Sequence, residues 1–69
     1  MPAPVKRSVT IAGHRTSFSL EPEFWQALKE IACTTGRPVA AIVAEIDAAR
    51  GEEGLSTAVR LFVLRHYRT

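Results

Sequence analysis

Arg15, Ser17 and Ser19 occupy alternate positions, and in an extended chain i and i+2 share a face. A guanidinium can donate a paired set of hydrogen bonds to guanine O6 and N7, and serine hydroxyls can donate or accept at base edges or phosphates. The plainer alternative is an ordinary polar face turned to solvent. Lys6 and Arg7 could neutralise phosphates, or could serve as a solubilising tail. Arg37 stands just before a helix start, where an anion would meet backbone donors, or is a simple loop charge.

Other reactive side chains form no catalytic or metal-binding constellation. His14 and His66 have no second ligand type at metal spacing and read as surface histidines. Cys33 reads as a small buried apolar residue, because no His–Asp arrangement surrounds it. Glu45 and Asp47 are two apart on an expected helix and point to different faces, so they do not make a paired-carboxylate acid and base. There is no Gly-rich phosphate loop. No catalytic residue, metal or cofactor is expected.

The charge is unevenly placed. Lys6, Arg7 and Arg15 precede Glu21 with no acid among them. All the acids lie from Glu21 to Glu53, and Arg60, Arg65 and Arg68 close the chain, leaving a net charge of +2. A basic, acid-free first segment suits an anionic partner.

These residues need elements to hold them. From Lys6 to Leu20 the period is two, with Val9, Ile11, Phe18 and Leu20 alternating with polar or small residues. β-branched and aromatic residues at that period favour strands. The reading is a strand near 7–11, a turn at Gly13 and a second strand from Arg15 to Leu20, together able to form a hairpin. Pro22 fits a first helical position and Glu21 and Glu23 suit the positive end of a helix. Phe24, Leu28, Ile31 and Ala32 follow at helical spacing beside Trp25, and Gly36 is a stop, so a first helix covers about 22–35. Pro38 restarts the chain, and Val39, Ile42, Val43 and Ile46 make a stripe for a second helix over 38–49. After the polar loop Gly51-Glu52-Glu53-Gly54, Ser56 or Thr57 can cap a third helix over 57–67, with Val59, Phe62, Val63 and Tyr67 on its apolar side. No internal repeat or low-complexity segment is visible. Residues 1–5, rich in proline, read as a flexible arm, and 6–69 as one domain.

A chain of 69 residues buries a thin core, and one cysteine excludes an internal disulfide. Hydrophobic residues make up 46% of it, an excess that points to a subunit interface. No apolar run approaches the ~20 residues of a membrane span. The start has no signal-peptide core, which with the lone thiol places the protein in the cytoplasm.

The stretch Thr16-Ser17-Phe18-Ser19-Leu20-Glu21-Pro22-Glu23-Phe24-Trp25-Gln26-Ala27-Leu28-Lys29-Glu30-Ile31-Ala32 resembles the strand and first helix of ribbon-helix-helix proteins, and Cys33-Thr34-Thr35-Gly36-Arg37-Pro38-Val39-Ala40 resembles their turn into the second helix. Lys6-Arg7-Ser8-Val9-Thr10-Ile11, Gly13-His14-Arg15-Thr16-Ser17-Phe18, Val43-Ala44-Glu45-Ile46-Asp47 and Phe62-Val63-Leu64-Arg65-His66-Tyr67 extend the likeness to small bacterial ribbon-helix-helix domain proteins of poorly defined role.

The resemblance implies a mainly α fold with a short β-ribbon, forming a homodimer whose strands and second helices intertwine. It implies an antiparallel ribbon of two strands from Arg15 to Leu20, one per protomer, entering the major groove of double-stranded DNA. Arg15, Ser17 and Ser19 would then contact bases, and Lys6, Arg7 and Arg37 phosphates. Phe18, Leu20, Ile42, Val43 and Ile46 would form the dimer core. The implied function is a transcriptional regulator, nucleoid-associated in the cytoplasm. The alternative is a protein-interaction, adaptor or antitoxin-like module without direct DNA reading. The chain departs from the usual pattern in its extra first strand, its third helix, and Pro38, which stands where Ser or Thr often holds phosphate.

Overall fold

The computed structural model describes residues 3–68, and Met1 and Pro2 of the expected arm lie outside them. The order is β1 (Val5–Ile11), β2 (His14–Leu20), α1 (Pro22–Thr35), α2 (Val39–Ala49) and α3 (Leu55–Arg68). The architecture is the expected ribbon followed by helices, with both the extra strand and the third helix present. Val5, expected in the arm, is the first residue of β1 and pairs with Leu20.

β1 and β2 form an antiparallel hairpin whose register runs from Val5↔Leu20 to Ile11↔His14. The two-residue turn between them is Ala12-Gly13, with φ of 51° and 80°. Both central residues at positive φ is the condition of a type I′ turn, whose twist matches that of the strands. Gly13 adopts this without a steric cost, whereas Ala12 brings its Cβ into the left-handed region. This local closure pairs β2 with the first strand of its own chain along one edge.

The hairpin has two unlike faces. Phe18 and Leu20 are buried on the inner one, with Val9 and Ile11 packed beside them. That face rests on Leu28, Ile31 and Ala32 of α1, Ile42, Val43 and Ile46 of α2, and Ala58, Val59 and Val63 of α3. A two-stranded hairpin is marginal alone in water, and this apolar backing supplies the burial it lacks. The five residues assigned to a dimer core are therefore buried inside a single chain, with Leu20 and Val43 both at 0% exposure. Phe24 and Trp25 pack at the core margin and remain half-buried.

Three details differ from the expectations. Cys33 is exposed, not buried. It follows Ala32 on a helix whose core face is Leu28, Ile31 and Ala32, and one further residue turns it about 100° away. α2 begins at Val39 with Pro38 as an extended cap, whose carbonyl accepts from the N–H groups of Ala41 and Ile42. α3 begins at Leu55, before either expected capping residue, and the Gly54 carbonyl accepts from the Ala58 N–H at 3.0 Å. The Ser56 hydroxyl instead accepts the Ser19 backbone N–H at 3.0 Å. α1 matches its expected limits: Pro22 leads, and Gly36 closes it at φ 69°. The Arg37 N–H returning to the Ala32 carbonyl completes that left-handed stop.

Candidate nucleic-acid interface

The outer face of the hairpin is built from three cross-strand pairs, Lys6↔Ser19, Ser8↔Ser17 and Thr10↔Arg15, and all six residues are exposed. Each is a cation or a hydroxyl, and none is acidic. The face thus offers donors at every position and hydroxyl acceptors at four. A strand sets this arrangement because successive side chains alternate faces, so burying Phe18 and Leu20 forces Arg15, Ser17 and Ser19 outward.

The sequence-based set divides. Lys6 joins Arg15, Ser17 and Ser19 on one face. Arg7 takes the opposite face of β1, where its guanidinium carbon lies 4.7 Å from the centre of the Trp25 ring. Its Nε is buried with no hydrogen-bond partner. The aromatic face supplies the attraction for that cation. Arg37 lies far along the chain from the ribbon, at the α1–α2 turn, and is ion-paired with Glu45. Ser8 and Thr10 belong to the outer face although they were not singled out as site residues. The signal for them was the same period of two, carried back through β1.

Pairing of cations sharpens the picture. Arg50 is held by Asp47 at 2.7 Å and donates to the Glu53 carbonyl at 2.6 Å. Arg60 reaches both carboxylate oxygens of Glu21, at 2.7 and 3.1 Å. That hydrogen-bonded guanidinium holds the Glu21 carboxyl below its usual range, helped by a backbone hydrogen bond. The acid nearest the ribbon is thereby neutralised. Lys6 and Arg15 have no ion pair among the described residues. Their charge is uncompensated and turned to solvent.

The backbone of β2 adds a second feature. A two-residue turn makes Ile11 and His14 the closing hydrogen-bonded pair, so the backbone groups of Arg15, Ser17 and Ser19 face away from β1. Ser56 takes the Ser19 N–H. The edge is open from Arg15 to Ser17.

A groove of about 420 Å³ lies elsewhere, between α2 and α3, with Ile46, Ala58 and Phe62 in its lining and Arg65 and Glu53 among its polar residues. His14 is exposed beside the turn, and His66 meets the Tyr67 ring edge-on at 5.0 Å. Among the described residues no group of three or more His, Cys, Asp or Glu side chains could hold a metal ion. No helix among them is long and apolar enough to cross a membrane.

A family model described as the ribbon-helix-helix domain matches residues 4–67. No curated protein and no solved structure matches the chain.

Proposed function

The chain belongs to the ribbon-helix-helix domain family, and from that premise we propose that it is a DNA-binding transcriptional regulator, acting as a homodimer, whose ribbon meets the major groove through its outer face. One observation carries the reading. The outer face holds only hydroxyls and two cations without ion pairs, while Arg37, Arg50 and Arg60 are each neutralised by a carboxylate. Uncompensated positive charge beside hydroxyl donors suits a polyanion with hydrogen-bonding edges.

In this proposal Arg15 donates to guanine O6 and N7, and Ser17 and Ser19 reach base edges or adjacent phosphates. Lys6 contributes attraction to the duplex. Ser8 and Thr10 complete the contact from β1. Arg7 and Arg37 could join only by exchanging Trp25 and Glu45 for phosphate. Affinity then comes from charge and register from the ribbon.

The α2–α3 groove favours a second reading, a protein-interaction or antitoxin-like module, because its apolar lining would accept a partner's side chains. The two separate cleanly. Substituting Arg15, Ser17 and Ser19 together removes function under the first and spares it under the second, where Phe62→Ala is damaging instead.

Gel retardation with genomic fragments at low and moderate salt tests the primary reading. Retardation that weakens as salt rises is expected. No retardation at low salt, with the chain folded by circular dichroism, overturns it. Sedimentation of the protein alone gives the homodimer mass, and a stable monomer at working concentration removes that element.

A further inference from the structure

α3 carries a stripe that faces away from its contacts with β2 and Glu21. Ser56 and Arg60 make those contacts, and Ala58 and Phe62, each two residues further on, lie about 200° round the helix. Ala58, Phe62, Arg65 and His66 stand at i, i+4, i+7 and i+8, which puts them on one helical face. All four line the groove of about 420 Å³ beside α2, and Ile46 and Ala49 line it from α2. Ile46 and Ala58 are buried and Phe62 is half-buried, so the floor is apolar and firmly seated in the fold.

The two ends of the groove carry different charge. Arg50 and Glu53 lie at the loop end, before α3 begins. Arg50 is already held by Asp47 at 2.7 Å and by the Glu53 carbonyl at 2.6 Å. The Glu53 carboxylate has no ion pair among the described residues. Arg65 stands seven residues beyond Ala58, about 10 Å along the helix at ~1.5 Å per residue. Its guanidinium is exposed and has no ion pair or hydrogen bond among the described residues. Two helical turns of apolar floor thus separate an uncompensated cation from an uncompensated carboxylate. That volume suits one small molecule. A protein partner of standard affinity needs ~800 Å² per side, and charge at both ends bounds this floor well short of that.

We propose that the α2–α3 groove binds a small apolar monocarboxylate, whose carboxylate accepts paired hydrogen bonds from Arg65 and whose chain or ring lies on Ile46, Ala49, Ala58 and Phe62. A guanidinium matches a carboxylate as a planar fork, and the bonds are charge-assisted. Burial of the chain against the floor supplies affinity, and Arg65 sets which way the ligand lies. Glu53 sets the other limit. A second carboxylate at the far end meets a like charge there, so a dicarboxylate of the same length is rejected. The site shares no residue with the outer face of the hairpin, and it stands whether or not that face binds DNA.

Octanoate, octanamide and octanedioate are the probes, added to the isotopically labelled full chain and followed by heteronuclear NMR. Octanoate at millimolar concentration should shift the amides of the groove residues, saturating at one ligand per chain. Octanamide and octanedioate should bind at least about fivefold more weakly. Arg65→Gln should weaken octanoate about tenfold and bring octanoate and octanamide level. Arg68→Gln, which removes another exposed cation of the same last turn, should leave octanoate binding unchanged. Glu53→Gln should abolish the discrimination against octanedioate. Spectra of the ligand-free variants verify that these exposed positions leave the fold intact. Absence of a saturable shift with octanoate, or shifts centred away from the groove, overturns the inference. So does an equal response to octanamide, or full octanoate affinity in Arg65→Gln. Each of those results leaves the DNA-binding reading standing, since gel retardation tests that separately.

Discussion

The Ser56 hydroxyl accepts the Ser19 backbone N–H at 3.0 Å, and so joins the first turn of α3 to the outward edge of β2. Arg60, one turn further along α3, grips Glu21 just past the end of the same strand. Two contacts from the third helix thus fix where the ribbon ends and α1 begins. An addition to the minimal ribbon-and-two-helix plan serves here as a brace for the ribbon.

Replacing Ser56 with Ala removes the acceptor and leaves the Ser19 N–H to water. The site is exposed, so the loss should be about 0.5–1.5 kcal/mol, read as a lower urea midpoint with unchanged slope. Ser56→Thr, which keeps the hydroxyl, should lie close to the parent. Equal destabilisation by both variants would show that the hydroxyl contributes nothing.

Ala12 is the described non-glycine residue with positive φ, at 51°. Asparagine tolerates the left-handed region better, and Asn-Gly is a favoured type I′ pair. Ala12→Asn should therefore raise thermal stability by up to about 1 kcal/mol without touching the core. A lower melting temperature would contradict the turn geometry.

The Glu21 carboxyl is held below its ordinary value of 4.5, chiefly by the hydrogen bonds from Arg60. A depressed carboxylate contributes stability at pH above the unfolded value and loses it as pH falls through the folded one. Stability should thus be flat above that ordinary value and decline below it on this group's account. Glu21→Gln should show a shallower acid decline. Parallel curves for the two proteins would remove the Glu21–Arg60 pair as a source of acid sensitivity.

Salt dependence separates the cations that face outward from those already paired. Lys6→Ala should lower the slope of log affinity against log salt by about 0.9, the increment of one phosphate contact. Arg37→Ala should leave the slope unchanged, because Glu45 already pairs with that guanidinium. An Arg37 effect equal to that of Lys6 would place the duplex across the α1–α2 turn instead.

Much of this fold was written in local pattern. Pro22, the Leu28–Ile31–Ala32 face and Gly36 bound α1 correctly, since its start, stripe and stop are all encoded within it. Alternation from Val9 to Leu20 gave both strands and their outward residues. What the pattern could not give depends on register and packing. Arg7 reads as a second cation beside Lys6, yet the pleat sends it inward to Trp25. Ser56 reads as a cap, yet a strand lying 37 residues earlier claims its hydroxyl. Cys33 reads as apolar, yet its helical phase turns it to water. Ile42, Val43 and Ile46 read as an apolar stripe, and only the packing shows that the hairpin and the other helices of the same chain bury it.

The stacking of Arg7 on Trp25 also gives the molecule its own optical reporter. Trp25 is the single indole of the chain, and it lies beneath the inner face of β1 at the margin of the core. Its fluorescence therefore tracks the seating of β1 on α1. A duplex docked on the outer face lies on the other side of the ribbon and leaves the emission maximum in place. A ribbon that peels away from its helices bares the indole to water and shifts the maximum to the red. Titration with DNA and titration with urea thus become distinguishable by colour alone, in an unlabelled sample.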